Sequence, residues 1–216
     1  MHNDDTTSPP DALMLMGTRC PYCPGVLKAL QALVESGHIG QLETHVIEEN
    51  PEIARELGVR SVPWVRIGPF ELEGLRSEKE LREWAEKAAT GGDLTDWLNE
   101  QLGNGNIDAA VAKIRADRTG MDALLTLFTD PDTPLNIHIG ISAIMEELQG
   151  SDLLREHIDQ LGALTRHDEA RVRGDACHFL SLAGDQQAIG YIKPLLTDTD
   201  ANVRELAQDS LTTLGG

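Results

Sequence analysis

Hydrophobic positions along the chain follow three successive patterns. Ala12-Leu13-Met14-Leu15-Met16 is an unbroken apolar run ended by Gly17, which predicts a buried strand over residues 11–17. Val26, Leu27, Leu30, Leu33 and Val34 then recur three to four apart, predicting a helix over 21–37 that stops near Gly37. Leu42, Thr44 and Val46 alternate, predicting a strand over 41–47, and Pro51 to Leu57 reads as a short helix ended by Gly58. Two further strands, 62–67 and 70–75, meet at Gly68-Pro69, a turn suited to an antiparallel pair. Ser77 and Glu80 have the spacing of a capping box, opening a last helix with Leu81, Trp84, Ala85 and Ala88 inside. A βαβ half followed by a ββα half describes one mixed sheet with helices on both faces.

Beyond Gly91-Gly92 strand periodicity is lost. A short apolar helix over 94–102 needs burial for Trp97, Leu98 and Leu102, and Gly103-Asn104-Gly105-Asn106 breaks it. The remainder is helical and repeats itself. The ten residues from His167 to Ala176 match those from Asp198 to Ala207, with Val172 and Val203 standing 31 apart, and Leu164/Leu195 and Leu180/Leu211 keep that offset. Helices over 153–165 and 187–196 precede the two matches, and helices over 169–183 and 201–214 run through them. A weaker copy covers 124–131 and 135–148, and a helix over 107–114 opens the series. The expected organisation is a tail over 1–10, an α/β domain over 11–90, a linker with a short helix over 91–106 and a repeat domain over 107–216.

Charge narrows the function classes. The net charge of −18 opposes binding to nucleic-acid phosphates or to anionic lipid. Residues 1–92 carry 15 acidic and 9 basic side chains and the rest 21 and 9, so the helical part is the more acidic. No run reaches the roughly 18 apolar residues of a membrane span. The polar stretch Met1 to Pro10 lacks the apolar core of an export signal, and cytoplasm is the expected location.

Chemistry concentrates at Cys20-Pro21-Tyr22-Cys23, where the first strand hands over to the first helix. Two thiols at this spacing can close a disulfide with little backbone movement, and unpaired N–H groups at a helix start favour a thiolate at Cys20. With three cysteines in all, the pair reads as redox-active in a reducing compartment and not as a disulfide scaffold. A zinc site would need two more ligands at suitable spacing, and the 7 histidines supply none, so no metal is expected. Cys177, beside Ala176 and one turn before Leu180, reads as a small buried hydrophobe. Arg173, Arg204 and Asp200 are expected to pair between adjacent repeats, and no chemistry is assigned to His138 or His178.

The CPYC motif, followed about 40 residues later by Ser61-Val62-Pro63 at the start of the third strand, resembles the thioredoxin superfamily in its short, glutaredoxin-sized form over residues 11–89. The helical part, with Asp-x-x-Val-Arg at 200–204, resembles a small HEAT array. The expected fold is therefore an α/β thioredoxin-like domain, a four-stranded mixed sheet with three helices, followed by an all-α HEAT-like solenoid. The resemblance implies that Cys20 is the nucleophile and Cys23 resolves the mixed disulfide. It also implies that Pro63 is cis against the dithiol and that the Val62 main chain receives an extended substrate segment. Tyr22 would line the approach, Pro21 would sit in the first helical turn, and Arg19 and Trp64 would support the site.

Glutaredoxins that use glutathione carry a Gly-Gly turn and an acidic residue after the third strand. Gly68-Pro69-Phe70-Glu71-Leu72-Glu73-Gly74 keeps only fragments of that pattern. No cofactor is expected beyond the cysteine pair, with glutathione one possible thiol partner. The expected function is a cytoplasmic thiol–disulfide oxidoreductase acting on a client disulfide or fed by an electron-donor reductase, while the acidic array docks a protein. The alternative is an adaptor in which the CxxC pair is a redox switch.

Overall fold

The computed structural model describes residues 8–91, 94–117 and 119–215, so the tail expected over 1–10 lies mostly outside the described residues. The chain divides into two compact units between Asp93 and Leu94.

In the first unit, β1 (Ala12–Met16), α1 (Cys23–Glu35), β2 (Leu42–Val46), α2 (Pro51–Glu56), β3 (Trp64–Ile67), β4 (Phe70–Glu73) and α3 (Glu78–Ala89) follow the expected order. The four strands form one sheet in the order β2-β1-β3-β4, with β1 parallel to β2 and antiparallel to β3, and β3 antiparallel to β4. Alternation sorts the side chains to two faces. Leu13, Leu15 and Trp64 pack on one side with Ile53, Ala54 and Leu57 from the α2 segment. Met14, Val65, Ile67 and Leu72 take the opposite parity, and the buried faces of α1 (Val26, Leu30, Leu33) and α3 (Leu81, Trp84, Ala85) supply the helices of that layer. The Phe70 and Trp84 rings meet there at 4.9 Å. Gly68, at φ +53°, makes the two-residue β3–β4 turn. Ser77 and Glu80 form the capping box reciprocally, with Ser77 N donating to Glu80 at 2.8 Å and Glu80 N to Ser77 Oγ at 3.3 Å.

The second unit is all helix. It opens with α4 (Leu94–Gly103), whose Leu94, Trp97, Leu98 and Leu102 are buried. This helix packs with α5 (Ile107–Ala116), α6 (Gly120–Thr129) and α7 (Leu135–Glu147), so it is the first helix of the helical unit and not part of a linker over 91–106. The helix expected over 153–165 is two, α8 (Asp152–Glu156) and α9 (Ile158–Leu164). The His157 ring nitrogen lies 2.7 Å from the Leu153 carbonyl, and this side-chain bond accompanies a break in the ladder where the sequence has neither Gly nor Pro. After α10 (Ala170–Leu182), the helix expected over 187–196 is α11 (Ala188–Ile192) running into a 3-10 turn over Lys193–Thr197. Pro194 lacks the N–H that a continuing α-helix would use there. α12 (Ala201–Thr213) closes the unit.

The repeat seen in the sequence is also a repeat of hydrogen bonds. Arg173 Nη1 donates to the carbonyls of His167 and Asp168 at 2.9 and 2.8 Å, and Arg204 Nη1 donates to those of Asp198 and Thr199 at 2.7 and 3.1 Å. Each residue of the second set stands 31 beyond its counterpart. Arg173 bridges to the next repeat through a two-pronged pair with Asp198, both contacts at 2.8 Å. Arg204 and Asp200 do not pair across repeats as expected. Arg204 stays in its own turn, and Asp200 accepts from Asn202 N and Val203 N as the cap of α12. Close packing between α10 and α12 uses Gly174, where a Cβ would stand 2.9 Å from Leu206. Among the described residues no helix is long and apolar enough to cross a membrane.

Candidate dithiol site

β1 ends at Met16, and Gly17 to Tyr22 turn the chain into α1. Cys20 N donates to Gly17 O at 3.2 Å, closing the turn. Tyr22 caps α1 without a side-chain bond, so the first N–H groups of the helix are free for other acceptors. One of them is used at once, because Cys23 N donates to Cys20 Sγ at 3.1 Å. The two cysteines are bonded to each other, with Cα atoms 5.5 Å apart. Cys23 faces the core with no exposure, whereas Cys20 is partly exposed.

Pro21 does not sit in the first helical turn. The helix starts two residues later, and the proline inside that turn is Pro24, the position whose N–H has no intrahelical partner. Pro21 and Tyr22 form the exposed rim, Tyr22 with 55% of its surface open. Across from them the Val62–Pro63 peptide bond is cis, Pro63 is buried, and Val62 O lies 3.6 Å from Cys20 Sγ. Gly74 N donates to Pro63 O at 2.9 Å, tying this loop to the end of β4. Trp64, on β3, does not reach the rim. It is buried with Leu13 and Leu15, and Val62 packs against that cluster. Arg19 and Arg60 are exposed, and Arg66 is half-buried on the Trp64 face of β3.

The sequence reading missed Glu48. Its carboxylate accepts from Thr18 N at 3.1 and 3.2 Å and from the Thr18 hydroxyl at 2.9 Å, linking the chain after β2 to the turn before Cys20. A bond from Glu48's own backbone N–H, then the Thr18 hydroxyl, holds this carboxyl below the ordinary range, with smaller help from Thr18 N and Arg19. Every β1–β2 partner is 30 residues apart, as in Met16 with Val46, and Thr18 with Glu48 keeps the same offset. The available signal was the parallel register together with an acidic residue just past the second strand. Gly17 sits inside this cluster. A Cβ there would stand 3.2 Å from Val62 Cγ2, 3.5 Å from Glu48 Oε1 and 3.8 Å from Cys20 Cβ.

The third cysteine lies elsewhere, in the helical unit. Cys177 is fully buried in α10, and burial pushes its thiol up, against a hydrogen bond with Ser210. Among the described residues no group of three or more His, Cys, Asp or Glu could hold a metal ion. His138 lies 3.3 Å from Arg171, and burial first, then that guanidinium, lowers its affinity for a proton.

Residues 12–86 match the family described as thioredoxin domain. No curated protein matches the chain. The first unit is thus a thioredoxin-like domain with a redox-capable cysteine pair at the end of its first strand, followed by an all-helical unit.

Proposed function

We infer from the thioredoxin domain over residues 12–86 that this chain is a protein thiol–disulfide oxidoreductase working through Cys20 and Cys23. The observation that carries the reading is the unequal exposure of two bonded sulfurs, one open to the rim and one sealed in the core. In the reduced protein the Cys20 thiolate attacks a client disulfide. A Cys20–client bond forms and the other client sulfur leaves as a thiolate that takes a proton. Cys23 then gives up its proton and attacks Cys20, forming the internal disulfide and expelling the second client thiol. The client gains two electrons and two protons; the pair supplies both electrons and the Cys23 proton, and solvent supplies the other proton. A thiol or dithiol donor, glutathione or a reductase, reverses the last bond to restore the pair.

Other site residues have supporting parts in this reading. Cys23 N–H and the amino end of α1 favour the anionic form of Cys20. The Val62 backbone receives an extended client segment as an added strand, Pro63 shapes the floor, and Tyr22 contacts the arriving chain. The helical unit, read as a HEAT-like array, docks a protein partner, and its acidic surface favours a basic one.

The test is turnover with trapping. The wild-type chain should reduce insulin disulfides in the presence of dithiothreitol, and Cys20→Ser should abolish this. Cys23→Ser should accumulate a mixed disulfide through Cys20, recoverable with its client from cells. Redox-dependent partner binding with no reduction above the dithiothreitol background would replace the enzyme by a redox-switched adaptor.

A further inference from the structure

The carboxylate beside the reactive turn has no part in the exchange steps themselves. Glu48 comes from the chain after β2 and fixes Thr18, two residues before Cys20, through bonds of 2.9 to 3.2 Å. A single point, the Cβ position of Gly17, lies 3.5 Å from Glu48 Oε1 and 3.8 Å from Cys20 Cβ, so those two atoms are less than about 7.3 Å apart. We propose that Glu48 sets the redox poise of the pair. Its negative charge, fixed on Thr18, disfavours the Cys20 thiolate relative to the Cys20–Cys23 disulfide, so the reduced pair is an electron donor. The inference rests on the reading of Cys20 and Cys23 as an exchanging pair.

The electrostatics follow from what changes on reduction. Breaking the internal disulfide adds two electrons, taken from two thiols of the donor, and leaves Cys20 as thiol or thiolate. Only the thiolate feels a neighbouring charge, so a carboxylate raises the free energy of the reduced form and leaves the disulfide untouched. The opposing influence is the Cys23 N–H at 3.1 Å with the amino end of α1. Arg19, in the same turn, faces Glu48 and offsets part of its charge. On the other side the Arg60–Pro63 loop presents the Val62 carbonyl to the sulfur, a group that cannot stabilise an anion. Arg60 in that loop is exposed, and Glu73 takes a hydrogen bond from Ser61. Glu48 is ionised at neutral pH, since its hydrogen bonds lower its affinity for a proton. At this separation near the surface, one such charge shifts a thiol by about half to one pH unit.

The experiment compares wild type, Glu48→Gln and Glu48→Asp. Cys20 is titrated by the pH dependence of iodoacetamide alkylation, and the pair is equilibrated in glutathione redox buffers. Glu48→Gln, which can still accept from Thr18, should lower the Cys20 pKa by about half to one unit. It should shift the glutathione equilibrium toward the dithiol by about three- to tenfold above the thiol's titration, tenfold being about 30 mV. Glu48→Asp keeps the charge and should stay near wild type. An unchanged pKa and equilibrium in Glu48→Gln, or an equal shift in Glu48→Asp, overturns the proposal, the second because loss of the clamp and not of charge would then be the cause. Neither measurement needs a protein client. A chain that fails the insulin assay but shows the Glu48→Gln shift would sink the enzyme reading alone.

Discussion

Asp198→Asn isolates the polar link between the last two repeats. In the native chain the Asp198 carboxylate receives both Arg173 contacts at 2.8 Å and a bond from Asp200 N at 2.9 Å. The two side chains keep only 13% (Arg173) and 8% (Asp198) of their surface in contact with solvent. The Arg173 hydrogen bonds, with Asp200 N, hold the Asp198 carboxyl at about 2, against an ordinary 3.8. Taken whole, that difference is worth about 2.4 kcal/mol at neutral pH. Both side chains keep some contact with solvent, and screening there reduces the figure to about 1–2 kcal/mol. Because the folded-state value is depressed, this stability is present in full above the ordinary carboxylate value and fades as pH falls from about 5 through about 2. Arg173→Ala should cost more, about 3 kcal/mol, since it also removes donors to His167 O and Asp168 O and leaves a shielded carboxylate without its counter-ion. Urea unfolding of the full chain, followed by far-ultraviolet circular dichroism across that pH range, reads both variants. The expected result is a deficit for Asp198→Asn at neutral pH that closes on acidification, and non-additivity when the two changes are combined. A deficit independent of pH would refute an ionic origin, and no deficit would refute the link itself.

Three other perturbations test separate parts of the structure. Gly162→Ala places a Cβ 2.5–2.6 Å from the Tyr191 ring, which is tethered to Asp159 at 2.8 Å, so it should cost about 1–3 kcal/mol in the urea midpoint of the helical unit; an unchanged midpoint would mean the ring is free to swing. In the reduced native chain, iodoacetamide should modify Cys20 while the fully buried Cys23 and Cys177 react only after denaturation, and mass spectrometry showing early labelling of Cys177 would contradict its burial. Ser77→Ala removes half of the capping box of α3 and should cost about 1 kcal/mol at neutral pH. Ser77 bonds hold the Glu80 carboxyl below its ordinary 4.5, so the Ser77→Ala deficit should shrink as pH falls below that value, and thermal melts showing a deficit that does not change with pH would exclude the reciprocal bond.

Most of the architecture was legible because its signals are local. The apolar run at 12–16, the alternation at 42–46 and the Gly68-Pro69 turn each carry their own period or punctuation. The Ser77/Glu80 spacing announced a bond pattern that the structure realises atom for atom. Internal repetition did the same for the helical unit, where an offset of 31 in the sequence returned as an offset of 31 in arginine-to-carbonyl bonds. Local signals failed where a side chain competes with the backbone. At His157 nothing in the apolar spacing marks the break between α8 and α9, because its partner is a ring nitrogen that the periodicity does not weigh. At Pro194 the signal existed, and apolar spacing on both sides masked it. The glycines flanking α4 placed it in a linker region, while Trp97, Leu98 and Leu102 announced that the helix must enter a core, and they are buried in the helical unit.

The site shows the same division more sharply. Cys20 and Cys23 were legible because a strand-to-helix junction is a one-dimensional feature, and the Val62-Pro63 loop because its motif is short. The start of α1 was not, since Pro21 and Pro24 are both acceptable near a helix start. In the structure the helix begins at Cys23, whose N–H is donated to Cys20 Sγ, and this start places Pro24 in the first turn. Glu48 was invisible for a related reason. An acidic residue after a strand is an ordinary surface residue until the register of a parallel neighbour sets it opposite Thr18, and register is a property of two strands at once. Chemistry that lives in one loop can be read from sequence, whereas the groups that tune it arrive from the next strand over and need the sheet to be built first. Glu48 is of this second kind, clamped on Thr18 in the turn that carries Cys20.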